Sequence, residues 1–278
     1  MNLKQSDPYI KFKSYSGWHS EKVSGIWVIY KASWYIGKHA RIEQMSYLPK
    51  WDKLIQMLRT KGIHQIGLEP MHDTDFDEKL HDGIKYLKEN GITARSFYNS
   101  SPTKELVIDI SPNIETIMSE FHKNKRGNVR RALRNGFSVK SSFNISEFLK
   151  TKVISNGNKH LINHEKIHYM SKSFGGESVL IVSAYSHSGD FLGSLLNLLW
   201  EGVSHSWGIG VTKFGKSKQV TNLLDWEMIK FSKLLGAKYY NLGGVWDERT
   251  PNRNKVLHGI TQYKSGFGGK YLYYPIIK

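Results

Sequence analysis

The sequence predicts an α/β protein built from two modules in tandem. Strand-like apolar runs alternate with amphipathic helical segments along the whole chain. One helix–glycine–strand unit also occurs twice. Leu54-Ile-Gln-Met-Leu-Arg-Thr-Lys-Gly62-Ile-His-Gln-Ile-Gly-Leu-Glu-Pro70 aligns without a gap on Met228-Ile-Lys-Phe-Ser-Lys-Leu-Leu-Gly236-Ala-Lys-Tyr-Tyr-Asn-Leu-Gly-Gly244, 174 residues later. Finally, 278 residues with 39% hydrophobic content suffice for one large domain or two small ones, each with its own core.

The elements follow in order. Residues 24–34 read as a strand. Residues 50–61 read as a helix stopped by Gly62, since glycine adopts the left-handed conformation that closes a helix. A strand over 63–69, a helix over 75–90 and the strands ARSFY (94–98) and ELVIDI (105–110) complete a first module, 1–110. Ser111-Pro-Asn then opens a long basic helix ended by Asn135-Gly136, with helical segments to about residue 174. Three strands (SVLIVSAYS, FLGSLLNLLW, VSHSWGIG), a helix over 217–235 stopped by Gly236 and the strand AKYYNLG fill a second module, 111–269. The last stretch, KYLYYPII within 270–278, is expected to add a strand to the first module.

The formal net charge is +16, which favours a polyanionic partner such as nucleic acid, anionic lipid or a phosphorylated substrate. The charge is concentrated: His122–Arg134 holds six Lys/Arg and no acid. There are no cysteines, so disulfides and thiolate zinc sites are excluded. No apolar run approaches the roughly 20 residues that span a bilayer, and the N-terminus has no apolar signal core. A soluble cytoplasmic protein is expected.

Two short motifs compete for attention. GVTKFGKS (210–217) fits the phosphate-loop pattern G-x-x-x-x-G-K-[ST] between a strand and a helix. Only 61 residues follow Ser217, and the next strand offers Asn241 where a nucleotide hydrolase needs a magnesium-binding Asp. A phosphate cradle using Lys213, Lys216 and Lys218 is the reading that survives. HEKIH (164–168) fits the zinc-protease pattern, but no H-x-x-G-x-x-H extension follows; the nearest downstream acid, Glu177, starts a strand, and Glu201, the candidate third ligand, sits at a strand end. No metal site is expected.

Four further stretches carry a resemblance. They are Leu3-Lys-Gln-Ser6-Asp-Pro-Tyr9-Ile-Lys11-Phe-Lys13 with Gly17-Trp18; Ile66-Gly-Leu-Glu69-Pro70; Lys125-Arg-Gly-Asn-Val-Arg130-Arg-Ala-Leu-Arg-Asn-Gly136; and Tyr239-Tyr-Asn-Leu-Gly-Gly244 followed by Tyr263-Lys264-Ser-Gly-Phe267-Gly-Gly269. In this order they resemble the signatures of the FemABX family of aminoacyl-tRNA-dependent peptidyltransferases, over the whole chain. The resemblance implies two tandem GNAT-like modules, with mixed sheets flanked by helices and no coiled-coil arm. It implies transfer of an amino acid from aminoacyl-tRNA to a stem-peptide amine of a peptidoglycan precursor, lipid II or the UDP-linked muramyl pentapeptide. The donor is a substrate and no cofactor is needed. A monomer touching the inner membrane surface peripherally would fit such an acceptor.

The resemblance also distributes roles. Lys264 is expected to bind the tRNA acceptor end or to stabilise charge developing on the ester carbonyl. Tyr263, in place of the family Phe, is expected to stack on the terminal adenine, and Phe267 is expected to contact substrate. Glu69 matches a family acid discussed as a base, against a structural role for a strand-end carboxylate. Lys11 and Lys13 match a region holding the acceptor's phosphates. Tyr169 matches an acceptor-contacting tyrosine, Glu165 stands where the family has an arginine with Lys166 as its substitute, Trp207 takes an aromatic position usually held by Tyr, and Asn241 replaces the family Asp. Lys125, Arg126, Arg130, Arg131, Arg134 and Lys216 are expected to contact phosphates of tRNA or precursor. Two other readings stay open: a GNAT-like acyltransferase using acyl-CoA or another donor on a polysaccharide or lipid, and an inactive tRNA- or precursor-binding protein.

Overall fold

The computed structural model describes residues 2–71, 76–95, 102–153, 164–250 and 257–276. The chain divides into two compact units, Met1–Lys104 with Leu272–Lys278, and Glu105–Tyr271.

The first unit opens with helix α1 (Asp7–Ser14), whose N-cap Ser6 accepts a hydrogen bond from the Tyr9 amide. Strands β1 (His19–Val23), β2 (Ile26–Ser33) and β3 (Gly37–Met45) form an antiparallel meander. Helix α2 (Trp51–Thr60) then crosses to β4 (Gln65–Pro70), and α3 (Phe76–Glu89) to β5 (Thr93–Arg95). The five-stranded sheet runs β1-β2-β3-β4-β5, with β3–β4 and β4–β5 parallel. Its core joins Val28, Ile42 and Leu68 of the sheet to Leu54 and Leu58 of α2 and Leu80 and Leu87 of α3. The meander exceeds the single strand expected at 24–34. β1 is a charged, largely exposed edge strand, and β3 carries five polar or charged residues among nine, so neither shows a clean apolar signal. Of the expected strand 94–98, residues 96–98 lie outside the described residues.

The second unit contributes β6 (Lys104–Asp109), α4 (Ile114–Glu120), α5 (Lys123–Arg134), β7 (Ser138–Ser142), α6 (Ile145–Leu149), α7 (His164–Phe174), β8 (Val179–Tyr185), β9 (Phe191–Trp200), β10 (Val203–Val211), α8 (Lys213–Ser217), α9 (Val220–Leu234), β11 (Tyr239–Gly244), α10 (Leu257–Ser265) and β12 (Lys270–Tyr273). The seven-stranded sheet runs β12-β6-β11-β10-β9-β8-β7. Thus β6, assigned from the sequence to the first module, pairs antiparallel with β11 in the second sheet, where Leu106 and Ile108 enter the second core. Strand β12 borders β6 at the edge of this sheet, while the residues from Leu272 onward group with the first unit.

The expected basic helix over 111–135 is two helices. Phe121 and His122 have extended backbone, because the Phe121 ring is drawn into the core against Trp226 and Phe267. The expected helix over 217–235 is observed as α9, which starts at Val220 because Gln219 adopts a left-handed conformation and separates it from the short α8. Strand β7 replaces helix after Gly136, and helix α10 occupies what the sequence suggested was a turn. The helical reading of 154–163 lies outside the described residues.

Candidate functional site

In the second unit, α9 turns Asn222 and Asp225, three residues apart on one face, toward the sheet. Asp225 is buried and accepts from two tyrosines: Tyr240 of β11 at 2.8 Å to Oδ1, and Tyr263 of α10 at 2.5 Å to Oδ2. Burial raises its carboxyl pKa, and the two hydroxyls, Lys125 and Lys264 offset part of that rise. Both phenols are held well above 10, chiefly by burial, so they remain donors. Lys125 donates to Asn222 Oδ1 at 2.8 Å and lies 3.6 Å from the Tyr263 ring centroid and 4.0 Å from that of Phe267. Burial lowers its pKa to about 8, against a small upward pull from Asp225.

This buried network fixes α10 one residue before Lys264. The Lys264 ammonium donates to the Gly244 carbonyl at 2.7 Å, at the end of β11. Burial lowers its pKa, while Asp225 and Glu105 favour the charged form. Lys264 therefore sits half-buried in the last turn of a helix, not on an exposed turn.

Gly244 ends a strand that parts from its neighbour. Strands β10 and β11 run parallel but pair only over Val203–Tyr239, Ser204–Tyr240 and His205–Asn241. Beyond that point each is bulged against its other neighbour: β10 at Trp207 against β9, and β11 at Leu242 against β6. Gly243 takes φ +75°, its amide donates to Asn241 Oδ1 at 2.7 Å, and Asn241 Nδ2 donates to Glu105 at 2.9 Å. No further rung joins the two strands, so Ser206–Ile209 and Leu242–Gly244 flank an opening in the ladder. At its apex stands buried His205, whose Nε2 has no hydrogen-bond partner among the described residues; burial lowers its pKa to about 4, so it is neutral near pH 7. The parallel pair of the first unit behaves differently. β3 and β4 resume pairing after a bulge and close at Met45–Pro70, where the Met71 amide donates to Met45 O at 2.7 Å.

The first unit collects cations instead. Trp18 is buried, and its ring lies 4.8 Å from Lys13 Nζ, 4.7 Å from Lys31 Nζ and 5.0 Å from the Arg41 guanidinium. One buried acid, Glu43, accepts from Tyr9 at 2.6 Å and from Lys13 at 3.1 Å, with Arg41 3.7 Å away. Burial opposes its ionisation, but Lys4, Lys13 and the Tyr9 hydroxyl hold its pKa below the usual value. Glu69 pairs with Lys4 at 3.0 Å through Oε2, and its buried Oε1 has no partner among the described residues. Lys11 is exposed on α1, away from this inward-facing group.

The basic residues of α5 divide by face. Lys125, Val129 and Ala132 form the buried stripe, so Lys125 is an interior cation and not a phosphate ligand at the surface. Arg126 donates to the carbonyls of Ser119 (2.9 Å) and Phe121, capping α4. Arg130, Arg131 and Arg134 are exposed. Asn135 Nδ2 donates to Lys218 O at 3.5 Å, which brings the end of α5 to the end of α8. Exposed Lys213, Lys216 and Lys218 there extend the basic surface of Arg130, Arg131 and Arg134.

The phosphate-loop pattern has an internal explanation. Gly210 is paired with Ser194 in the β9–β10 ladder, the Thr212 amide donates to Leu192 O, and Thr212 Oγ1 caps α8 through the Gly215 amide at 2.9 Å. The Gly215 amide is engaged by this cap, and the lysines expected to form a cradle, Lys213, Lys216 and Lys218, are exposed around the short helix. The two glycines of the terminal turn also serve the fold. A Cβ on Gly268 would come within 2.9 Å of Glu120 O, and one on Gly269 within 2.5 Å of Val107 O. Phe267 is fully buried between Phe121 and Tyr263, and so is a core residue rather than a substrate contact. Tyr263 likewise has its hydroxyl held by Asp225 and one ring face covered by Lys125, in place of a free stacking surface.

Trp207 is the half-buried bulge residue of β10, and Asn241 is buried beside the opening. Half-buried Lys166 and Tyr169 lie on α7, whose Ile167 and Met170 face inward. His168 is exposed, and the His164 side chain lies outside the described residues. Glu43, Asp225, Tyr240 and His205 were missed in the sequence; only Asp225, one of two acids in the largely apolar α9, carried a local signal.

No protein-family model matches the chain, and no curated protein does. Among solved structures, the crystal structure of FemX superposes over 98% of this chain and 90% of its own, with TM-score 0.75 and 13% identity. The chain has the FemX fold. L-PGS from Bacillus licheniformis covers 92% of this chain and 82% of its own (TM-score 0.58, 12% identity). A tandem GNAT protein from the clavulanic acid biosynthesis pathway covers 90% and 77% (TM-score 0.54, 8% identity). The two tandem GNAT-like modules expected from the sequence are thus the observed architecture.

Proposed function

We propose that this protein is an acyltransferase, and specifically that it moves an amino acid from aminoacyl-tRNA to an amine of a peptidoglycan precursor on the cytoplasmic side of the membrane. The observation that carries the reading is the opening between β10 and β11, with the Lys264 ammonium fixed at its mouth, in a chain that shares the FemX fold over 98% of its length. In the reaction, the neutral acceptor amine attacks the ester carbonyl of the charged tRNA. A C–N bond forms, the ester C–O bond breaks, and the tRNA hydroxyl leaves with the proton that the amine gives up. Lys264 stabilises the negative charge that builds on the carbonyl oxygen, and Asp225, Tyr263 and Lys125 act as positioning residues for it. Backbone groups along the opening hold the donor's aminoacyl end, and Trp207 and Asn241 border it.

The exposed arginines of α5 and lysines of α8 supply a surface for tRNA phosphates. In the first unit, Lys13, Lys31 and Arg41 around Trp18 outnumber Glu43, which suits an acceptor bearing phosphates, and Glu69 Oε1 can accept a proton or an ammonium hydrogen bond. An acyl-CoA donor is the second reading, favoured by the likeness to a tandem GNAT protein. Incubating the protein with a muramyl pentapeptide or lipid II and either charged tRNA or acetyl-CoA, followed by mass spectrometry of the acceptor, separates the two. An aminoacyl mass increment from charged tRNA supports the proposal; acetylation alone overturns it.

A further inference from the structure

Strands β2 and β3 meet in a three-residue tip, Trp34-Tyr35-Ile36, closed by the rung Ser33–Gly37. Trp34 is 85% exposed, Tyr35 79% and Ile36 44%, whereas no other described aromatic side chain exceeds 53%. The tip is ordered rather than frayed. The Ile36 amide donates to Ser33 Oγ at 3.3 Å, the Gln65 side chain donates to Ile36 O, and the two aromatic rings lie 3.8 Å apart. Three consecutive large apolar residues held in water contribute nothing to either core, and such a run signals a contact surface. The collar behind it is basic. Lys31 and Lys38 stand within two residues of the tip rung, and no acid occurs from Lys22 to Ile42. Lys38, one residue past the tip rung, is exposed with its ammonium on Lys61 O at 3.1 Å.

We infer that this hairpin is a membrane-docking finger that inserts Trp34, Tyr35 and Ile36 into the headgroup region of a bilayer containing anionic lipid. Trp and Tyr rings favour that interface because one edge is apolar and the other hydrogen-bonds water. The lysine collar adds attraction to an anionic surface. A protein partner is the poorer fit, since a three-residue tip falls far short of the roughly 1,200 Å² that a stable interface buries. This inference does not rest on the transfer reaction.

The test is co-sedimentation with vesicles of phosphatidylcholine alone or mixed with phosphatidylglycerol. The protein is expected to bind the mixed vesicles and to be released by salt. The variant Trp34→Ser/Tyr35→Ser/Ile36→Ser should bind about tenfold or more weakly with unchanged melting temperature, and Lys38→Glu should lose much of the salt-dependent part. Independently, brominated lipid should quench part of the wild-type tryptophan fluorescence, and Trp34→Phe should remove that part. Vesicle binding unaffected by the triple substitution, no binding by the wild type, or no quenching difference in Trp34→Phe would each overturn the inference. So would a tip variant that only dissociates a dimer, which would make a second copy the occupant.

Discussion

Lys125 and Phe267 show how a residue's environment decides its role. Lys125 lies in a basic run, yet its ammonium is buried between Asn222 and two aromatic rings, and burial lowers its pKa from 10.5 to about 8. Between those values the unfolded chain holds a proton that the folded chain does not, so unfolding free energy rises with pH across that window. The rise should reach about 2–3 kcal/mol between pH 8 and 10. Above pH 10 it reverses, because Tyr9, Tyr240 and Tyr263 keep their protons longer folded than unfolded. Denaturant titrations at several pH values check this: Lys125→Met should flatten the rise, and an identical slope in both proteins would contradict the assignment. Phe267, expected to touch substrate, has no exposed surface. Phe267→Ala should destabilise the protein by about 3–5 kcal/mol. A variant that keeps its melting temperature while losing substrate affinity would return Phe267 to the binding site.

Among elements, the parallel pairs matter most. The repeated helix–glycine–strand unit was legible because glycine stops and apolar strands are local signals, and it marks α2–β4 and α9–β11. Whether a parallel pair stays closed was not legible, since it depends on bulges set by strands distant in sequence. Strand β11 is opened by its pairing with β6, more than 130 residues earlier. The break at Phe121–His122 was hidden for a similar reason, because helix propensity there yields to tertiary burial of one ring. The exposed face of α5 keeps the role expected of it as a proposal. If Arg130 and Arg134 contact tRNA phosphates, Arg130→Glu/Arg134→Glu should make the logarithmic salt dependence of tRNA binding shallower by roughly 1.5. An unchanged slope in filter binding would leave the pair as a solvated face.

At the scale of the molecule, the chain uses one module twice with different outcomes. The β3–β4 pair is closed and backed by cations around Trp18, and the β10–β11 pair is open and borders Lys264. The motifs of the terminal turn marked Lys264 in the sequence. They did not reveal the Asp225 network that holds it, because Asp225, Tyr240 and Lys125 converge only through packing of α5, α9 and β11. Lys264→Met removes one partly buried hydrogen bond, worth about 1 kcal/mol, so the variant should fold. The decisive measurement is single-turnover transfer from charged tRNA to a muramyl pentapeptide by wild type and Lys264→Met, with melting curves as control. The expected result is a rate lower by about a hundredfold or more in a folded variant, with partial recovery in Lys264→Arg. Transfer by folded Lys264→Met at the wild-type rate would contradict the assignment of the β10–β11 opening as the reaction site.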